Sequence, residues 1–463
     1  MNFMTPSLMS PSGRKHLLAR VRSRSLAVTH ASRAIYAFCK RLGSSLRGLK
    51  RIGIRSPRRE QPVSPCSLSG ELPPRRVRLP VRRDRGTGRR TTTWSGSDFS
   101  LRLCLSDPCL RGVVITLTLI CGVNSALAQT PPTKRNFEAT ASEFVTPETQ
   151  KSIDRGLAYL AVRQHPDGSF GSGSTYKRNV AVTALAGMAF LSAGHTPGRG
   201  QYGKHVDQSI EFLLSCAKPS GYIVREDSTG HGPMYGHGFA TLFLAEVYGI
   251  TPRKDVREAL NLRKALKAAV QLIVNSQSRE GGWRYDPDGK DADVSVTVCQ
   301  MMALRAARNS GIAVPKTTVD QCVEYVKKCQ NNADGGFRYQ LNMRPQSDFP
   351  RSAAGVVTLY SAGLTEGREL ERGLAYLMRF PPRGDLLRYD AHYFYGQYYA
   401  VQAMWHAGED YWKQWYTAIR DELMVRQLPD GSWSDSLVNS EYATAMACLI
   451  LQMPNNYLPI FQR

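Results

Sequence analysis

At 463 residues and 42% hydrophobic content the chain is long and apolar enough to bury a substantial core, which excludes a wholly disordered protein. The formal net charge of +23 is concentrated at one end: residues 1–128 hold 24 Lys and Arg against 5 Asp and Glu, leaving 37 against 33 for the remainder. The part that can fold is therefore nearly neutral, which argues against a nucleic-acid-binding surface.

Residues 1–110 carry Arg75-Arg76, Arg82-Arg83 and Arg89-Arg90 among scattered Pro, Gly and Ser, with no sustained apolar period. The segment reads as a basic, unfolded extension or as sequence upstream of the true start. After Arg111, the run GVVITLTLICGV and then Ala126-Leu127-Ala128 before Gln129 have the parts of an export signal. The apolar run is short for a spanning helix, so residues 111–128 read as a cleaved signal, with a retained membrane anchor as the alternative. Export places the protein in the periplasm or outside the cell, where peripheral contact with a membrane stays compatible. Residues 129–144 read as a linker to the folded domain, 145–463. That domain holds Cys216, Cys299, Cys322, Cys329 and Cys448, odd in number and without a CxxC, so small core residues are expected in place of a disulfide framework.

Within the domain the chain repeats. QHPDGSF ends at Phe170, SQSREGGW at Trp283, QNNADGGF at Phe337 and QLPDGSW at Trp433, with a degenerate KPSGY at Tyr222. Glycines close successive apolar runs at Gly194, Gly249, Gly311, Gly363 and Gly408, the last in the gap that the aromatics leave empty. Six repeats fit. Each opens on an amphipathic helix, such as that carrying Leu262, Leu266, Ala269, Val270 and Ile273. After the Gly-aromatic turn comes a more uniformly apolar run such as NVAVTALAGMAFLSAG, which suits a helix buried on nearly all sides. The fold expected is all-α: an α/α toroid of six helical hairpins, inner apolar helices inside an outer amphipathic ring. An open solenoid of helical pairs has the same pattern.

If the ring closes, the residues just before the six inner helices meet at one mouth. They include Tyr235 and His237, Asp291 and Asp293, Arg351, Asp390 and His392, and Glu441 and Tyr442, after Lys177 and Arg178 in the first repeat. Helix N-termini converging there favour carboxylates or an anionic ligand head, while helix capping alone also explains an aspartate in such a place. The aromatic cluster Tyr393, Phe394, Tyr395, Tyr398, Tyr399 and Trp405 reads as cavity lining or as helical core. The glycine-rich GHGPMYGHGF at 230–239 reads as a helix entry with His237 facing the mouth, and the C-terminal NNYLPIFQR should pack back onto the ring.

The turns Gln164–Phe170, Gln277–Trp283, Gln330–Phe337 and Gln427–Trp433 resemble the QW repeats of the terpenoid cyclase and protein prenyltransferase superfamily, over essentially all of residues 145–463. Squalene-hopene-type cyclases are similar around GGW followed by Asp-x-Asp-Asp, whose middle aspartate protonates the polyene. Here the run is Asp291-Ala292-Asp293-Val294, so the resemblance implies Asp293 as the acid beside Asp291, with Val294 where the third carboxylate stands. Those cyclases use two barrels; this chain has room for one. Protein prenyltransferase β subunits are single toroids whose zinc is held by an Asp-x-Cys pair and a later His. Asp390-Ala391-His392 has His in place of Cys, and Ala443 stands at the later ligand position. No cofactor is expected, a rearranged metal site from His237, Asp390 and His392 being the alternative. The thioester motif of complement-like toroids has no match. The function expected is an exported toroid that binds a hydrophobic, isoprenoid-like molecule or a protein partner at its mouth, with acid-initiated cyclase-like chemistry at Asp293 as the alternative.

Overall fold

The computed structural model describes residues 137–250, 256–382 and 392–463. The basic N-terminal segment, the export-like segment and Asp390 lie outside the described residues.

Twelve long helices alternate along the described chain. The outer ones are α1 (Pro147–Arg163), α3 (Gly203–Ser215), α5 (Val256–Asn275), α7 (Lys316–Cys329), α9 (Arg368–Leu377) and α11 (Glu409–Arg426). Between them run the inner α2 (Val180–Ser192), α4 (Pro233–Ile250), α6 (Val294–Asn309), α8 (Phe349–Ser361), α10 (Tyr393–Ala407) and α12 (Ser440–Leu451). Burial divides the two sets as the apolar patterning requires. Helix α2 buries every residue but Ala181, whereas α9 buries only Leu370, Gly373, Leu374, Tyr376 and Leu377. The five cysteines among the described residues are free and buried.

Each inner helix packs on the next, α2 on α4, α4 on α6, α6 on α8, α8 on α10 and α10 on α12, and α12 packs back on α2 and α1. The ring is closed, which decides against an open solenoid. Residues 137–144, assigned above to a linker, form two short helical turns, Phe137–Thr140 and Ala141–Phe144. Ala141 is buried, and Phe144 meets Trp412 and Tyr416 of α11 edge to face.

The Gln-to-aromatic turns join neighbouring repeats. In each, the glutamine Nε2 donates to a carbonyl of its own turn and to one in the first turns of the next outer helix. Gln277 reaches Gly281 O at 2.7 Å and Thr318 O at 2.9 Å; Gln427 reaches Gly431 O at 2.9 Å and, across the closure of the ring, Ser152 O at 2.8 Å. The indole Nε1 of Trp283 donates to Ile273 O at 2.7 Å and that of Trp433 to Leu423 O at 2.8 Å, tying each buried ring to the helix it follows. Gly281 adopts φ +103°, and a Cβ there would collide with the Gln321 carbonyl of the next outer helix, so the turn tolerates only glycine. In the fifth repeat Phe380 packs between Phe349 and Tyr376 without the rest of the motif.

The outer helices end, and the inner helices begin, at one end of the barrel. At the other end the C-terminal residues form a strap over the inner helices. Gln452 Nε2 donates to Ala189 O and Asn455 Nδ2 to Ser192 O of α2, Ile460 N to Glu246 of α4, and Arg305 of α6 to Gln462 O. Ile460 and Phe461 are buried, and Phe461 meets Tyr398 of α10 at 6.5 Å between ring centres. The C-terminal segment therefore closes the far end.

Candidate functional site

The open end holds a cavity of about 350 Å³. It lies among the first turns of the inner helices and descends furthest along α2 and α4, to Leu185 and Phe239. Below Phe239 the barrel is filled: Phe239 meets Tyr398 at 6.4 Å, and Tyr398 meets the strap residue Phe461. The upper walls carry six tyrosines, Tyr176, Tyr235, Tyr285, Tyr339, Tyr395 and Tyr442, among aliphatic residues of α2 and the loops.

Three of the inner helices, α2, α6 and α12, start on a side-chain cap. Asn179 Oδ1 accepts from Ala181 N at 2.9 Å, Asp293 Oδ1 from Val296 N at 2.8 Å and Asn439 Oδ1 from Tyr442 N at 2.8 Å, each satisfying a free amide of a first turn. Tyr235, Arg351, His392 and Tyr442 line the cavity, as their positions in the sequence predict. Arg351 pairs with Asp348 at 3.2 Å and lies over the Tyr339 ring.

Asp293 is brought to the site but not into the cavity wall. Its side chain is fully buried; Oδ1 serves the cap, and Oδ2 accepts from the Tyr339 hydroxyl at 3.2 Å. Tyr339 is held over it because Val294 N donates to Tyr339 O at 3.1 Å. The Tyr339 hydroxyl in turn bonds that of Tyr285 at 2.6 Å, so a chain of hydroxyls links the carboxyl to the cavity. Burial pushes the Asp293 carboxyl up to about 6, outweighing the Val296 amide, the Tyr339 hydroxyl and the Arg284 guanidinium at 3.7 Å, all of which pull it down.

Three positions expected at the mouth are turned elsewhere. His237, one turn into α4, accepts from Ile223 N at Nδ1 (3.1 Å) and faces Ala269 O with Nε2 (3.3 Å). It is fully buried, and desolvation pulls it down to about 4, so it is a neutral histidine joining α4 to α5. Glu441 is buried in an ion pair with Arg163 of α1 at 2.7 Å and accepts from the Ser172 hydroxyl at 2.9 Å. It fastens the last inner helix to the first outer one. Asp291 pairs with Arg284, whose guanidinium stacks on Tyr285 at 4.9 Å. None of the three lines the cavity.

His237 and Ala443 do not suit the zinc chemistry of the resemblance. Both ring nitrogens of His237 are engaged by backbone groups, and Ala443 carries no donor atom. Of the α10 aromatics only Tyr395 lines the cavity; its hydroxyl donates to Ser295 O at 2.8 Å. Tyr398 and Tyr399 fill the barrel beneath, and Tyr393 faces outward under Arg426.

Tyr285 and Tyr339 were not among the residues singled out in the sequence, although a signal for them exists. Trp283-Arg284-Tyr285 and Phe337-Arg338-Tyr339 place a tyrosine two residues beyond the turn aromatic in consecutive strong repeats. That offset carries the chain from the barrel wall to the rim.

Comparison with known proteins agrees with this architecture. The family model for the prenyltransferase alpha-alpha toroid domain matches residues 136–344, 234–379 and 316–458 in overlapping segments. Drimenyl diphosphate synthase of Streptomyces showdoensis is 23% identical over 235 residues, 50% of this chain and 39% of that protein, so the chain spans about two fifths of this relative's length. Among solved structures, an alpha-1,6-mannanase of Salegentibacter superposes with a TM-score of 0.50 at 8% identity, covering 66% of this chain and 98% of the other, a likeness of fold alone. A type II terpene cyclase from Scytonema reaches 0.48 at 16% identity over 68% of this chain and 98% of its own.

Proposed function

Because the chain belongs to the prenyltransferase alpha-alpha toroid domain family, we propose that it holds a hydrophobic, isoprenoid-like small molecule at the mouth of its barrel. The observation that carries this reading is the cavity of about 350 Å³, walled by tyrosines and aliphatic side chains and stopped from below by Phe239. A pocket of this kind gains most of its binding energy from apolar contact and its orientation from a few polar atoms. The proposal includes export: residues 111–128 act as a signal or anchor, and the ligand is met outside the cytoplasm. No helix of the described residues is long and apolar enough to cross a membrane.

A specific observation favours a second reading, in which the toroid is an enzyme with acid-initiated chemistry. The Asp293 carboxyl is buried, raised to about 6 and hydrogen-bonded to Tyr339, a residue of the cavity wall. A carboxyl so raised stays largely protonated in mildly acidic surroundings and can act as an acid. One experiment tests both readings. The protein is purified gently from its native envelope, as wild type and as Asp293→Asn, and bound lipids are identified by mass spectrometry. The same isoprenoid in both supports the binding protein. A product in wild type replaced by its precursor in the variant supports the enzyme. Absence of any lipid from both removes the proposal.

A further inference from the structure

Two tyrosines in the cavity wall differ from the rest. Tyr176 bonds His231, Tyr285 bonds Tyr339, Tyr339 also donates to Asp293, and Tyr395 donates to Ser295 O. The hydroxyls of Tyr235 and Tyr442, on the first turns of α4 and α12, make no hydrogen bond among the described residues, although both residues line the cavity and are largely enclosed. Both phenols are pushed well above their ordinary value by burial, so each is a neutral O–H with a donor to offer.

The charges around the cavity point the same way. Of the arginines lining it, Arg225 is paired with Asp227 at 2.6 Å and Arg351 with Asp348 at 3.2 Å. Asp348 and Asp435 also line it, so among the described residues the two lining arginines are matched by two lining carboxylates. A diphosphate entering here would have to displace Asp227 and Asp348 from these arginines and would face the negative charge of Asp348 and Asp435. A plain hydrocarbon would cover the Tyr235 and Tyr442 hydroxyls without bonding them, leaving buried donors unsatisfied.

We propose that the ligand is a neutral, oxygenated isoprenoid-like molecule, an alcohol or carbonyl compound whose oxygen accepts hydrogen bonds from Tyr235 and Tyr442, and is neither a diphosphate nor a hydrocarbon. This rests on the ligand-binding reading above and narrows it. A site with hydroxyl donors discriminates against an analogue lacking the matching oxygen, because the loss is the full cost of stranding its own polar groups.

The test uses three probes that share one hydrocarbon chain: farnesol, β-farnesene and farnesyl diphosphate. Affinities for the full chain are measured by quenching of tryptophan fluorescence and checked by titration calorimetry. Farnesol is expected to bind tightest, with β-farnesene weaker by roughly 5- to 100-fold and the diphosphate weaker than the alcohol. Tyr235→Phe and Tyr442→Phe should each weaken farnesol on the order of 10-fold and leave β-farnesene unchanged, a split that a general loss of packing would not produce. Equal affinity for alcohol and hydrocarbon, tightest binding of the diphosphate, or variants that weaken both neutral probes alike would overturn the inference while leaving a hydrophobic ligand in place. Failure of wild type to bind any of the three would overturn the ligand-binding reading itself.

Discussion

The buried carboxyl of Asp293 makes the stability of the fold depend on pH in a direction opposite to that of ordinary salt-bridged acids. The ordinary value for an aspartate is 3.8, and in the folded protein burial moves Asp293 to about 6. Below 3.8 the group is protonated in both states and costs nothing. As the pH rises, the unfolded chain releases its proton first while the fold still holds it, so stability falls through the interval and levels off above the folded value. The difference between the folded and unfolded values corresponds to about 3 kcal/mol. Asp293→Asn removes the titration while keeping an oxygen to cap Val296 N and a side chain that can pair with Tyr339. Urea unfolding followed by tryptophan fluorescence at several values between about pH 4.5 and 8.5 should show wild type losing stability relative to the variant by about 2 to 3 kcal/mol. Comparing the two proteins at each pH cancels every other titrating group. A difference that stays constant across this range would refute the argument that Asp293 is desolvated in the fold.

Glu246 presents the same sign in a later window. Its ordinary value of 4.5 is raised to about 7 by burial beneath the strap, with Ile460 N as its hydrogen-bond donor. Glu246→Gln should therefore gain stability relative to wild type progressively from about pH 4.5 to about pH 7, and limited proteolysis of the C-terminal residues should show the gain locally. Ring closure can be tested at the joint between the last and first repeats. Gln427→Ala removes the bonds from Gln427 to Gly431 O and Ser152 O, and Gln277→Ala removes the equivalent pair to Gly281 O and Thr318 O. Each should cost about 1 to 3 kcal/mol in denaturant unfolding. A negligible cost for Gln427→Ala alone would mean that the ring is open in solution.

The repeats were legible because their grammar is local. A Gln-to-aromatic turn, a buried apolar helix of small residues and a closing glycine each lie within a few turns of chain, and their periods predict the inner and outer sets correctly. The rim positions were legible for the same reason: a residue's place at an inner-helix start follows from counting along the chain. Tyr235, Arg351, His392 and Tyr442 line the cavity as that counting places them.

What those residues face is a different matter, decided by partners far away in sequence. His237 reads as a mouth residue until α5 offers it the Ala269 carbonyl, and Glu441 until Arg163 is brought beside it by closure of the ring. Asp293 reads equally as a cap or an acid; the fold makes it a cap at one oxygen and, through Tyr339 from the next repeat, joins the other to the cavity. The C-terminal strap matches the expectation that NNYLPIFQR packs back, but only the tertiary structure shows that it seals the barrel and buries Glu246. The sequence by itself determined which helices exist, how often they repeat and which face of each is apolar, because those properties depend on neighbours three or four residues away. Closure of the ring, the depth of the cavity and the pairing of each rim side chain depend on contacts between residues separated by tens to hundreds of positions, and only the tertiary structure decided them.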